Sequence, residues 1–246
     1  MLLSLISMVS MNIFYYIIYK GKYKYFEYYR VSQTPWPWEI DKNEFTKILK
    51  KTLILVSFNQ LVLGPFIAYA SLMLSGVNLK LSYEDFPSSW TILVHFGFFI
   101  VVEDFGFYWS HRFLHHPFMY KRFHKQHHEY VVSIGLAGAY SHPVEFILSG
   151  LMPTSLGPVL LGKQCHIITL YLWVIMRNLE SVDGHSGYEL PWSPFRLLPF
   201  SAGAEYHGYH HSHNIGNYGS LLTLWDSLCS TNTSFLSYIK KQFKDN

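Results

Sequence analysis

Residues 52–79 run for 28 positions without an Asp, Glu, Lys or Arg. A helix of that length rises about 42 Å, more than the roughly 30 Å hydrocarbon core of a bilayer. A soluble domain seldom buries so long an uncharged helix, so the run predicts a transmembrane span, kinked or divided at Pro65. Residues 86–102 form a second uncharged run of 17, closed by Glu103 and Asp104, with Tyr108 and Trp109 as interfacial anchors. Residues 1–19 are a third apolar run. They carry no basic leader and no clear small-residue cleavage site, and so read as an uncleaved anchor. Residues 146–162 and 164–176, parted by Lys163 and interrupted by Pro153 and Pro158, read as a helical hairpin that dips into or just crosses the bilayer. The competing arrangement is a buried hairpin in a soluble core. Composition agrees with the membrane: 14% of residues are charged, against about 25% in an ordinary soluble domain.

Basic residues set the orientation. Residues 20–51 carry eight Lys or Arg, and Arg112, Lys121, Arg122 and Lys125 follow the 86–102 run, whereas residues 80–85 hold Lys80 beside Glu84 and Asp85. Segments 20–51 and 110–130 are therefore expected on the cytoplasmic side, with 80–85 opposite. The hairpin returns the last third to the cytoplasmic side. The segment from 32 to 41, with Pro35, Trp36, Pro37 and Trp38, reads as an interfacial loop. A net charge of +3, scattered along the chain, argues against nucleic acid as a partner, and two cysteines exclude a disulfide scaffold and a Cys-built zinc module.

The chain has 14 histidines. Seven lie between His111 and His142, and five between His185 and His213. His111 and His115 are i, i+4 on one helix face. His124, His127 and His128 form HxxHH, and His207, His210 and His211 repeat it beyond the hairpin, with His185 between. Nine imidazoles exceed the two to four protein ligands of a mononuclear site and fit a dinuclear one. His116 and His213 break the spacing, His95 reads as a packed helix residue and His166 as incidental. His142, Glu145, Asp183 and Glu205 are candidates for lining the pocket or orienting a ligand. Glu103, Asp104, Glu129 and Glu180 also lie outside the boxes, as acceptors for imidazole N–H groups.

Imidazole suits zinc, copper and iron alike, so affinity does not choose the metal. The boxes hold no carboxylate, unlike the Glu-x-x-His pairs of soluble di-iron bundles. Their place beside apolar spans suits oxygen activation by two irons, where a strong oxidant must meet a C–H bond before it meets water. Electrons then come from outside the chain: no GxGxxG follows a strand, and no CxxC or iron–sulfur cysteine set is present. The basic residues at 112–125 are candidates to receive an acidic carrier, or are ordinary positive-inside charge.

The ordered segments HRFLHH (111–116), HKQHH (124–128), SHPVE (141–145), HSGYELPWSP (185–194) and GAEYHGYHH (203–211), then Asn217-Tyr218-Gly219-Ser220 and Trp225-Asp226, resemble the fatty acid hydroxylase superfamily. Within it they look most like the sterol C4-methyl oxidases, through Gly184–Tyr188 and Trp192-Ser193-Pro194. The resemblance implies an all-α integral membrane protein: transmembrane helices under a cytoplasmic, histidine-rich helical cap. It implies an anchor over residues 1–90, a di-iron domain over 91–232 and a tail over 233–246. It implies a location in the endoplasmic reticulum membrane, with two iron ions held by His111, His115, His124, His127, His128, His207, His210 and His211, and His185 as a ninth ligand. O2 is then the co-substrate, with electrons from NAD(P)H through cytochrome b5. The expected reaction is stepwise oxidation of a sterol C4 methyl group, in company with downstream C4-demethylation enzymes. The alternatives are a hydroxylase or desaturase of a fatty acyl or sphingoid chain, and a non-catalytic zinc-binding membrane protein. Two departures stand out: Gly208 replaces the usual Asp of the last box, and Ser230-Thr231-Asn232 replaces the usual Gly-Thr-Asp.

Overall fold

The computed structural model describes residues 2–75 and 79–245. Among these the chain is helical, and its only β-structure is three isolated bridges. Four stretches are long and apolar enough to cross a membrane: Leu3–Gly21, Lys42–Ala70, Ser89–Leu114 and Pro143–Gln164.

The first, α1 (Leu2–Gly21), is not a detached anchor. It packs along α6 (Ile167–His185), with Met8, Tyr15, Ile18 and Tyr19 buried. Its Tyr15 hydroxyl donates to Asp183 Oδ1 at 2.7 Å, and Tyr19 donates to the Ser186 carbonyl at 2.8 Å. The second stretch runs through α2 (Lys42–Phe58), a π-helical turn (Asn59–Leu63) and α3 (Gly64–Ser75). The wide turn lies just before Pro65, whose missing N–H the regular ladder cannot use. Residues 76–78, near the end of the long uncharged run, lie outside the described residues.

The third stretch, α4 (Ser89–Leu114), corrects the expected boundary at Glu103 and Asp104. Both acids are buried within the helix, because each finds a partner. Glu103 pairs with Arg177 at 2.8 Å, and Asp104 accepts the Leu222 N–H at 3.0 Å. Paired in this way they do not have to face water, and the 26-residue helix continues for about 39 Å. Tyr108, expected as an interfacial anchor, is fully buried against Thr231 and Arg112.

The first arm of the hairpin is long and apolar enough to cross a membrane. That arm is a π turn (Phe146–Leu151) and α5 (Met152–Leu161), packed on α4; the hairpin's second arm is α6. At its tip Lys80 donates to the Cys165 carbonyl and accepts from Ile167 N–H, both near 3 Å. The tip therefore reaches the loop before α4, at the opposite end of that helix from His111. His166, expected to be incidental, caps α6 through Nδ1 and donates Nε2–H to the Ser82 carbonyl at 3.2 Å.

Trp36 and Trp38 correct the expected interfacial loop. Trp36 is 1% exposed, stacked on Trp38 at 5.6 Å and flanked by Tyr19 and Tyr188. Stacked rings of this size bury more area than an aliphatic side chain, and they fix the segment onto the α1–α6 pair. Beyond the hairpin, α7 (Gly203–His213) and the loops around it cap the bundle, and α8 (Thr233–Asp245) lays Phe235 and Tyr238 on the α7 tyrosines 206 and 209.

Candidate metal centre

The last turn of α4 carries His111, and His115 follows as its C-cap residue, one turn further on. His124 ends a π turn (Tyr120–His124), and His127 and His128 begin a short 3₁₀ turn. His185 closes α6, and α7 carries His207, His210 and His211. The tertiary fold brings all nine together, in two groups. His111, His115, His124, His128 and His210 form one, and His127, His185, His207 and His211 the other, each with nitrogens within 4.8 Å of one another. At about 100° per residue, neighbours on a helix diverge, so His210 turns to one group while His207 and His211, i and i+4, share the other. The 124–128 box divides similarly.

The ring hydrogen bonds define which nitrogen is free. Nδ1 lies 2.8 Å from the Tyr218 carbonyl in His111, 3.1 Å from that of Tyr140 in His127, 2.7 Å from that of Ser181 in His185 and 2.7 Å from that of Gly216 in His210. In His124 it is 2.8 Å from Glu145 Oε1. A carbonyl or carboxylate only accepts, so these Nδ1 atoms carry the proton and Nε2 keeps its lone pair. Those lone pairs face one another: His111 and His124 Nε2 are 3.1 Å apart, and His127 and His185 Nε2 are 3.4 Å apart. No hydrogen lies between them, and such contacts repel unless a cation sits among them. Two nitrogens at right angles, each about 2.1 Å from one ion, would be about 3.0 Å apart. His211 has both ring nitrogens buried without a partner, as expected of a donor set built for metal.

Burial above all, with neighbouring imidazoles adding to it, pushes His127 down to about 4, His185 to about 3 and His115 to about 2. His124, His128, His207, His210 and His211 are lowered for the same reasons. All are neutral at pH 7, the form that binds metal.

Of the other candidates, Glu145 meets an imidazole, as the pattern suggested. His142 does not join either group; it caps the short helix Pro143–Glu145 and lies 5.0 Å from the Phe123 ring. Asp183 accepts from Tyr15, Ser193 and Arg196, and so fastens the end of α6 rather than a histidine ring. Glu205 contributes its backbone N–H to Glu189. Glu103 and Glu180 clasp Arg177, Asp104 holds Leu222, and Glu129 takes Lys51 and Tyr140, so none of these four orients a ring. That task falls mostly to backbone carbonyls, which no side-chain motif announces. The position of Gly208 is open: a Cβ there would touch only Val31, at 3.6 Å.

A helical bundle with four membrane-length stretches, capped by two facing groups of neutral imidazoles, defines a membrane protein with two polyhistidine groups that could each hold a metal ion. Residues 96–231 match the family described as fatty acid hydroxylase, and the chain belongs to that family. It is 36% identical to methylsterol monooxygenase 1 of Gallus gallus over 94% of this chain and 73% of that relative. It is 42% identical to methylsterol monooxygenase erg25B of Aspergillus fumigatus over 59% of this chain and 50% of the relative. It is also 43% identical to very-long-chain aldehyde decarbonylase GL1-11 of Oryza sativa subsp. indica, over 59% of this chain and 55% of that one. The chain thus spans half to three quarters of the length of these relatives. No solved structure matches it significantly.

Proposed function

We propose that this chain is an O2-dependent di-iron monooxygenase that oxidises the C4 methyl group of a membrane sterol. The observation that carries the reading is the pair of imidazole groups, five and four, with their lone pairs turned inward. The similarity over 94% of the chain to a relative named methylsterol monooxygenase supports the substrate class.

His111, His115, His124, His128 and His210 would hold one iron, and His127, His185, His207 and His211 the other. Two irons held there supply reductive activation of O2. Each turnover inserts one oxygen atom into a C–H bond and releases the other as water, with two electrons and two protons consumed. Repetition carries a methyl group through alcohol and aldehyde to carboxylate. The protein's own contribution is orientation and dryness. Glu145 and four carbonyls fix the rings, and eight of the nine imidazoles are buried. On the membrane side an open groove of about 340 Å³, lined by Phe96, Ile100, Ile175, Met176, Leu179 and Phe195, offers an apolar surface to the body of a lipid. Leu179 lies six residues, about 9 Å of helix, before His185.

Electrons are supplied by a separate donor, cytochrome b5 with its NAD(P)H-dependent reductase, docking beside Lys121 and Lys125, which are exposed near the centre. The centre faces the cytoplasm of the endoplasmic reticulum membrane, and enzymes of C4 demethylation take the acid onward. The decarbonylase relatives favour a second reading, oxidation of a long aliphatic chain.

Detergent-purified protein should carry two irons per chain. Given O2, cytochrome b5 and its reductase, it should oxidise a 4,4-dimethylsterol, and His127→Ala should abolish turnover. Full iron loading without sterol turnover would refute the substrate. Zinc alone, with no oxygen consumption, would support a non-catalytic metal-binding protein instead.

A further inference from the structure

The loop after α7 passes through three left-handed residues, Asn214, Gly216 and Asn217, with φ between +53° and +61°. Two of these are not glycine, a conformation that persists only when the surroundings impose it. The same loop supplies the Gly216 carbonyl to His210 and the Tyr218 carbonyl to His111. Both histidines belong to the five-imidazole group. In the other group, His127 and His185 take their carbonyls from Tyr140 and Ser181, elsewhere in the chain.

One buried side chain holds the loop. Asp226 Oδ1 accepts the Tyr218 N–H at 2.9 Å, and Oδ2 accepts the Gly219 N–H at 2.7 Å. Thr231 donates its hydroxyl to the same carboxylate at 2.5 Å, and its carbonyl accepts the Asn217 N–H at 3.1 Å. The fit is close: a Cβ on Gly216 would lie 2.0 Å from the Thr231 carbonyl oxygen. The Gly219 N–H shares a peptide plane with the Tyr218 carbonyl, so Asp226 directs that carbonyl; the Asn217 N–H shares one with the Gly216 carbonyl, so Thr231, itself held by Asp226, directs that one.

We propose that Asp226 is a positioning residue for one of the two ions only. It fixes the Tyr218 carbonyl directly and the Gly216 carbonyl through Thr231, and so sets the His111 and His210 rings, and the four-imidazole group does not depend on it. The inference rests on the di-metal reading above and goes beyond it, because it makes the two sites separable.

The test measures iron per chain by elemental analysis, on full-length protein purified in detergent and loaded with ferrous iron, with helicity followed by circular dichroism. Loss of a residue that orients a ligand lowers metal affinity about 10–100-fold. Asp226→Ala should therefore fall from two irons to one with helicity retained. Adding His211→Ala should remove the remaining iron, and adding His115→Ala should change nothing further. Asp104→Asn is the control: it alters an equally buried aspartate holding Leu222 of the same segment, and should keep both irons. Asp226→Asn, which keeps the shape and one acceptor oxygen, should show a smaller loss of the same iron; it replaces the alanine variant if that does not fold. Two irons retained in Asp226→Ala would overturn the proposal. So would loss of both irons while Asp104→Asn keeps them, or a remaining iron sensitive to His115→Ala and not to His211→Ala. Wild-type protein that binds no metal would refute the di-metal reading itself.

Discussion

Arg177 is the cation of a buried ionic cluster, and replacing it by Met should be among the most destabilising single changes in the bundle. Its guanidinium donates to Glu103 Oε1 from Nε at 3.0 Å and lies 2.8 Å from the same oxygen through Nη2, and it also pairs with Glu180. The three side chains are only 9%, 1% and 6% exposed. Arg177→Met fills most of the volume but strands two carboxylates away from water. Breaking a buried pair by removing one partner costs about 3–5 kcal/mol, mainly through the uncompensated charge. For a chain of this size about 1 kcal/mol moves Tm by roughly 2–4 °C, so the loss should be about 6–20 °C. Thermal unfolding in detergent, followed by circular dichroism, reads it. Arg177→Met combined with Glu103→Gln and Glu180→Gln removes the stranded charges while keeping the shape, and should recover most of the loss. A triple variant as unstable as Arg177→Met would refute the electrostatic account and assign the cost to packing. The cluster sits eight residues before His111 on α4 and eight before His185 on α6. The single variant should therefore also lower iron retention.

Glu145→Ala removes the only carboxylate among the described residues that contacts an imidazole of either group. It should weaken iron binding about 10–100-fold in a chelator-competition titration; unchanged affinity would mean that His124 is held by packing alone. Stripping the metal with a chelator should destabilise the protein, because the facing Nε2 lone pairs lose their cation. Metal at about 100 times its Kd adds about 2.7 kcal/mol, or roughly 5–11 °C in Tm. That gain should hold from pH 7.5 to 5.5, where the buried rings stay neutral, and shrink only as the pH falls through about 4, where His127 begins to take a proton; a chelator-insensitive Tm would count against a metal centre. Gly157→Ala should cost about 1–3 kcal/mol, since a Cβ there would lie 2.6 Å from the Phe99 ring where α5 meets α4. A Tm within about 1 °C of wild type would show that this contact yields freely.

Much of the centre was legible in the sequence because its signals are local. Histidines three or four residues apart share a helix face whatever the rest of the chain does, so the boxes and their nine members could be read directly. The long uncharged runs were legible for the same reason: hydropathy over some twenty residues needs no knowledge of neighbours. Where the sequence misled, the deciding partner lay far along the chain. Glu103 and Asp104 look like the end of a span until Arg177 and Leu222 are placed beside them. Trp36 and Tyr108 look interfacial until Tyr188 and Thr231 enclose them.

The sequence by itself determined that the chain is a helical membrane protein with nine histidines spaced as metal ligands, since composition and i, i+4 spacing are properties of the segment alone. Only the tertiary structure decided how nine imidazoles divide into five and four. It also decided that the hairpin reaches the far end of α4, and that backbone carbonyls of Tyr140, Ser181, Gly216 and Tyr218 aim four of the rings. A carbonyl has the same chemistry at every residue, so which one meets a ring is fixed by the fold that carries it there.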